Sequence, residues 1–507
     1  MQRKWWTLIA VCVATFMLLL DITVVNVALP DIQRDLDAGL SSLQWVIDAY
    51  ALTLAVFMLT AGSFADRIGR RQVFSAGFAV FTIASFLCGV SGNATLLNLA
   101  RGLQGVGGAA MFATSLALIA QEFQGRERGT AIGVWGATIG GAVAIGPLVG
   151  GALTEGLGWE WIFFVNVPIG IGAIALTGWK VANLKAPDPE PIDWPGLAAF
   201  SLGLFALIFG LIRGNPEGWS SPQIVGPLVA AGVLLVAFVA IEHRTDHAML
   251  DLSLFRKPAF AGVSIVAIAL SAGMFSMFLY ITLYVQDVLG YSPLGAGLRF
   301  LPLTLLSFFV APVAGRLSSR LPVRGLLGIG LALVGSALLL MHGVVLGDDW
   351  TTLLAGFFVA GAGIGIVNPG IASTAIGVVA PARAGMASGI NNTFRQVGIA
   401  TGVAALGAIF QSQIAVKLSE LAPHAPPGFS DAVSSGAIQA AIQAAPAASQ
   451  AQLANAADRA FISGFNEILL VGAAIAFAGS LLGFALVRGR DFVAEHGEPA
   501  AEPIAAT

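Results

Sequence analysis

Long apolar blocks separated by short polar breaks occupy almost the whole chain. A helix needs about 20 mostly apolar residues to cross about 30 Å of hydrocarbon. By that measure the pattern predicts fourteen spans, at 6–29, 43–64, 72–91, 94–120, 129–152, 161–179, 195–212, 222–241, 259–289, 294–315, 325–346, 351–377, 384–411 and 462–487. The first is too long for the apolar region of a signal peptide and has no small-residue cleavage site soon after it, so it is expected to stay in the mature chain.

Composition narrows the class. Of 507 residues, 57% are apolar and 10% charged, and the mean hydropathy is +0.84. Soluble proteins carry about 45–50% apolar and about 25% charged residues. Soluble enzymes and nucleic-acid binders are therefore excluded, and a net charge of −3 offers no footprint for a polyanion. Cys12 and Cys88 both lie inside apolar runs, which provides neither a disulfide framework nor a thiolate metal cluster. The 62 glycines suit helices that pack closely in lipid.

Basic residues set the orientation. Eighteen of the 25 fall on one side of the fourteen spans, four on the other, and Arg101, Arg299 and Arg395 lie inside spans. Both termini are thus expected in the cytoplasm and the spans in the cell membrane. The Ala-, Ser-, Gln- and Pro-rich segment 412–460 is expected outside, as a connector with short helices. The acidic tail 491–507 is expected to be disordered.

Three echoes mark an internal repeat. The segment from Gly62 to Arg71 is repeated in spacing from Gly315 to Arg324, the segment Gln104–Gly107 at Ala360–Gly363, and Arg128 at Arg383. Their nearly common offset defines two six-helix halves, 1–185 and 246–490, with two inserted helices at 186–245. Two similar halves around a central site is the build of many secondary transporters.

At this point the motifs resemble those of the major facilitator superfamily, in its branch of fourteen-helix drug:proton antiporters. The resemblance rests on Asp21–Pro30 in the first span and on Trp45, Asp48 and Tyr50 at the start of the second. It rests equally on the loop Gly62–Arg71, on Asn98–Gly107, on Gly140–Gly151 and on Trp161–Gly170. The segment Gln286–Pro293 completes the set. Departures are Glu160 where an arginine is usual, Ser319 in the second loop copy where the first has Asp66, and the lack of an arginine in the twelfth span. The resemblance implies an all-α fold and multidrug efflux driven by protons, with resistance to antibiotics as its consequence.

The residues support that reading in the first half. A charge inside a spanning helix needs a partner or a wet cavity. By helical rise, Asp21, Asp48 and Arg101 lie about 7–12 Å from the outer ends of their spans, at one shared depth. They are the proton-coupling candidates. Gly140, Gly146, Pro147 and Gly150 are read as an outer hinge or seal, largely through the resemblance. Asp66, Arg70 and Arg71 are read as a latch between the cytoplasmic face and a neighbouring helix end. For substrate contact the ninth span offers Met274, Phe278, Tyr280 and Tyr284, together with Phe275 and Met277. The thirteenth offers Asn391, Asn392, Arg395 and Gln396. His243 and His247 are read as solvated loop residues, since a metal site needs more ligands.

These observations predict a monomeric transporter, not an enzyme, with protons as coupling ion and no cofactor. No nucleotide-binding loop appears. The scarcity of inner carboxylates, with Ser307 in the tenth span, favours monovalent cationic or neutral lipophilic substrates. A dedicated exporter of one metabolite is the nearest alternative, and a passive uniporter or membrane sensor the alternative of another class.

Overall fold

The computed structural model describes residues 2–38, 40–182, 192–245, 250–318, 321–380, 383–436, 438–443 and 445–492. Among the described residues there is no strand, and the long rods follow the fourteen apolar blocks. The first half contains α1 (Arg3–Asp35), α2 (Leu40–Ile68), α3 (Arg70–Gly89), α4 (Ala94–Glu122), α5 (Gly125–Leu157) and α6 (Trp161–Lys180). The inserted pair is α7 (Trp194–Glu217) and α8 (Pro222–Glu242). The second half contains α9 (Pro258–Val288), α10 (293–317), α11 (Val323–Met341), α12 (Trp350–Gly377) and α13 (Ala384–Leu421). Short helices α14 (Phe429–Ser434) and α15 (Ile438–Gln443) then lead to the last rod, α16 (Ala447–Leu486).

Twelve of the rods are long and apolar enough to cross a membrane, and α5 and α10 contribute the shorter apolar stretches Leu148–Leu157 and Leu301–Leu317. This is a multi-pass membrane protein. Local chemistry fixes several starts. Asn93, Asp193 and Ser292 each accept a backbone N–H from the first turn of α4, α7 and α10, satisfying a donor that the helix itself leaves free.

One boundary differs from the sequence reading. Segment 412–460 is not a connector throughout, because α13 continues to Leu421 and α16 begins at Ala447. Phe410, Ile414 and Leu418 form a stripe of four-residue spacing, and so do Leu453, Ala457 and Phe461. All six are buried. An alanine-rich stretch with such a stripe extends a helix beyond the membrane-length core rather than ending it. Asp491 and Phe492, expected in the tail, are instead packed on the second half. Asp491 accepts the Ala259 N–H at 2.9 Å at the start of α9, and the ring of Phe492 lies against Gly377. His247, Ser319 and residues 493–507 lie outside the described residues.

The two halves share buried clusters: Leu52, Ala55, Val56 and Leu59 of α2 join the cluster of the second half, and Ala372, Ile376 and Ala384 join one of the first. The inserted helix α7 lies against both halves: Ser201 is 3.3 Å from Thr60 of α2, Phe209 stacks on Trp45 of α2, and Asn215 donates to the Ala404 carbonyl of α13 at 3.0 Å. Phe200, Leu204, Ile208 and Phe238 of the inserted pair belong to the same buried cluster as the second half.

Candidate functional site

Five helices of the first half meet at one buried ion pair and its partners. Asp21 of α1 and Arg101 of α4 are each only 1% exposed, and Arg101 Nη1 meets Asp21 Oδ2 at 2.5 Å. The other oxygen, Oδ1, accepts from Gln104 Nε2 at 2.9 Å and from Asn166 Nδ2 of α6 at 3.3 Å. Gln104 Nε2 also approaches Ser85 Oγ of α3 at 2.7 Å. A buried charge at membrane depth needs partners or a wet cavity, and here the partners are present.

The guanidinium has further support. Arg101 Nη1 donates to Gln104 Oε1 at 2.6 Å and Nε donates to the Val46 carbonyl of α2 at 2.9 Å. The Tyr50 ring centre is 4.3 Å from the guanidinium carbon and the Phe163 ring centre 5.8 Å. Arg101 therefore keeps two acceptors and two ring faces when Asp21 is left out of the count. The guanidinium is thus held by more than the carboxylate alone.

Asp48 does not join this network. It lies two residues before Tyr50, which is about 200° around a helix, so the two side chains face opposite ways. Asp48 instead lies in a narrow crevice with Trp45, Leu52, Phe209, Ile212 and Arg213, and the cation acting on it is Arg213 of α7. Equal depth therefore did not mean one site. Gln104, Asn166, Tyr50 and Ser85 were not candidates from sequence. The first three lie inside motifs quoted above, and Gln104 sits one turn from Arg101, so the signal was present but unassigned.

The basic loop touches the other half through Asp66. Asp66 accepts the backbone N–H of Gly385 at 3.0 Å and of Met386 at 2.7 Å, at the start of α13 in the other half. Arg70 holds the same carboxylate through Nε at 3.2 Å and Nη2 at 3.1 Å. Arg71 reaches the Val181 carbonyl at 3.4 Å, so it ties the loop to the end of α6 within its own half. Closeness is enforced by glycine: a Cβ on Gly62 would overlap the Gly385 carbonyl, and one on Gly389 would lie 2.8 Å from the Met58 oxygen.

A second seam joins α5 to α10. Gly129 and Gly315 face each other so closely that a Cβ on either would overlap the other's carbonyl oxygen, and a Cβ on Gly133 would strike Pro312. Farther along, a Cβ on Gly140 would lie 3.3 Å from the Thr304 oxygen. Gly146 and Gly150 turn away from this seam: a Cβ on the first would overlap Thr23, and one on the second would lie 3.0 Å from Val24, both on α1. The small residues of α5 thus serve two packings, one between the halves and one within the first half. Of Pro147 only its place in α5 is described.

In the second half, Met274, Tyr280 and Tyr284 are packed into the core. Tyr280 donates to the Val403 carbonyl at 3.0 Å, and Tyr284 stacks on Phe465 with centroids 5.1 Å apart. Phe275 and Phe278 keep open surface and lie 6.0 Å apart. Asn391 and Asn392 are buried, while Arg395 and Gln396 are partly exposed.

Two packed helical halves, a buried ion pair in one, and close glycine seams with a carboxylate contact between them fit a membrane transporter. The chain belongs to the Major Facilitator Superfamily, whose family model matches residues 11–403. It is 31% identical over 488 residues to the tetracenomycin C resistance and export protein of Streptomyces glaucescens, covering 94% of this chain and 90% of that one. It is 37% identical over 426 residues to the puromycin resistance protein pur8 of Streptomyces alboniger, covering 82% and 84%. With the multidrug resistance protein Stp of Mycobacterium tuberculosis it shares 35% over 421 residues, covering 82% and 77%. Among solved structures, the proton:xylose symporter XylE superposes with a TM-score of 0.64 at 12% identity, covering 96% of each chain. The human organic anion transporter MFSD10 gives 0.63 at 13%, covering 95% of this chain and 99% of that one. These two likenesses concern the fold alone.

Proposed function

We propose that the protein exports lipophilic compounds across the cell membrane in exchange for protons, by alternating access, with its basic face in the cytoplasm. The observation that carries this reading is the Asp21–Arg101 pair, a carboxylate buried at membrane depth whose counter-ion is independently cradled. When the halves rock, the surroundings of Asp21 change between sides. Loss of water raises a carboxyl pKa and approach of an arginine lowers it, so the same motion that moves a substrate loads and unloads a proton. The latch at Asp66 and the seam at Gly129 and Gly315 hold the halves together on the basic face in one of the two states. The names of the relatives, which speak of antibiotic resistance and export, support the direction of transport.

The test is efflux from energised inside-out vesicles with ATP held constant. Accumulation of substrate should stop when the proton gradient is collapsed. Undiminished accumulation without a gradient would argue for a passive or differently driven carrier. A second reading, export of one dedicated compound, is favoured by relatives named for single antibiotics. A growth-inhibition panel in an efflux-deficient host separates it from multidrug export: protection against one compound class alone supports the dedicated exporter.

A further inference from the structure

Arg395 is a cation at membrane depth in the second half for which no counter-ion is found among the described residues. It lies eleven residues into α13, about 16 Å by helical rise, near the middle of the hydrocarbon. No hydrogen bond or ion pair holds its guanidinium among the described residues, and its one neighbour of note is the Phe275 ring, 5.5 Å away. No charged group acts on it. The acidic residues from 258 to the end of α16 are Asp287, Asp348, Asp349, Glu420, Asp431, Asp458 and Glu467, and all lie toward the helix ends opposite the termini. In the first half, Asp21 is taken by Arg101 and Asp66 by Arg70 and the start of α13, while Asp48 lies in the field of Arg213, which itself pairs with Glu217. A guanidinium at that depth is costly unless something anionic or polar meets it.

Unmet donors and acceptors occur on α13 and on neighbouring helices at about this level. Asn391, one turn earlier on the same face of α13, is 3% exposed and its Nδ2 has no partner. The Asn392 Oδ1 atom beside it and the Asn368 Oδ1 atom of α12 are also without partners. Ser271 Oγ opens a π-helical turn, Ser271–Phe275, in α9, and it too is unpartnered. That turn packs on α13: a Cβ on Gly398 would lie 2.9 Å from Ser271 Cβ. Asn368 sits nine residues from the basic end of α12, about 14 Å, and so shares this level. Buried polar groups are normally paired, and π-turns concentrate at functional places.

We infer that Arg395, with Asn391, receives the acidic group of a substrate, so that the exported compounds include lipophilic organic anions such as aryl carboxylates and acidic phenols. Phe275 and Phe278 offer the ring faces for the aromatic body. This departs from the expectation of cationic or neutral substrates, which rested on the scarcity of carboxylates and gave no weight to the charge of Arg395. It rests on the exporter reading above and specifies its substrate class.

The test uses purified full-length protein and a matched pair, naproxen and its methyl ester, with tetraphenylphosphonium as the cationic probe, read by tryptophan quenching. Wild type should bind the acid about tenfold more tightly than the ester, as a charge-assisted hydrogen bond implies. Arg395→Gln should erase that preference, Arg395→Lys should keep part of it, and tetraphenylphosphonium binding should not weaken in Arg395→Gln. Wild-type binding of the ester or the cation as tight as that of the acid overturns the inference, and this comparison needs no variant to fold. An acid preference unchanged in a well-folded Arg395→Gln overturns it as well. Gradient-driven export of the cation but not the acid leaves the exporter reading standing and removes this one; export of neither under a gradient removes the exporter reading itself.

Discussion

Asp66 and Met386 are 320 residues apart in the chain, yet the carboxylate of the first accepts the backbone N–H of the second at 2.7 Å. The acceptor comes from the last turn of α2 and the donor from the first turn of α13, so this is a helix cap supplied by the opposite half. Removing such a cap costs about 1 kcal/mol, a factor of about five in an equilibrium. Asp66→Ala should therefore raise the population with parted basic ends about fivefold. Spin labels at the exposed positions Ile68 and Leu321 read the separation. An unchanged distance distribution would show that the cap does not bias the halves.

The glycine seam yields a contrast within one helix. Gly129→Ala must push α5 off α10, because the new Cβ meets the Gly315 carbonyl. Overpacking of this kind costs about 1–3 kcal/mol. Gly136→Ala, whose Cβ would find nothing nearer than 3.6 Å, should be neutral or slightly stabilising, since alanine favours helix. Thermal unfolding in detergent compares the two; equal melting points would contradict the seam as described.

Asp48 makes the opposite prediction from Asp21. Because it faces Arg213 and the inserted helix, Asp48→Asn should retain substrate-driven proton release while loosening α7 from α2. Proton release in reconstituted vesicles and limited proteolysis near residue 218 report the two effects. Complete loss of coupling in a well-folded Asp48→Asn would place it in the proton path.

The connector after α8 carries a pH-dependent tie. Partial burial pushes the Asp251 carboxyl up, but hydrogen bonds from the Ser253 N–H and hydroxyl and the Arg383 guanidinium outweigh this and hold it below the usual carboxylate range. A lowered carboxyl contributes stability above its unfolded value and loses it as pH falls through the folded one. Asp251→Asn should flatten that acid limb of the melting curve. The pair is half-exposed at Arg383, so high salt should shrink the difference. A wild-type acid limb in Asp251→Asn would contradict the assignment.

How much of this was legible depended on period and place. The fourteen rods were legible because span length is set by the bilayer and is written in consecutive apolar residues. The Asp21–Arg101 pair was legible because charge in lipid demands a partner. The orientation of Asp48 was not, although the 200° between it and Tyr50 was available once Tyr50 was known to face Arg101. Tyr280 and Tyr284 illustrate the other limit: an aromatic at a helical position looks the same in sequence whether it packs on Phe465 or lines a path. The helical extensions at 412–421 and 447–461 were hidden because an alanine-rich stripe there is less apolar than a span.

The account stands most directly on one measurement, substrate-driven proton release from reconstituted vesicles, made together with thermal stability. It compares wild type, Asp21→Asn, Arg101→Ala and the double variant. Asparagine fills nearly the space of Asp21 but cannot change charge, so a folded Asp21→Asn should bind substrate and release no protons. Arg101→Ala should also fail, because the lone carboxylate then stays protonated. Low folded yield in both single variants, with partial rescue when both are neutralised, would reduce the pair to a structural role. Wild-type proton release from a well-folded Asp21→Asn would contradict the central claim outright.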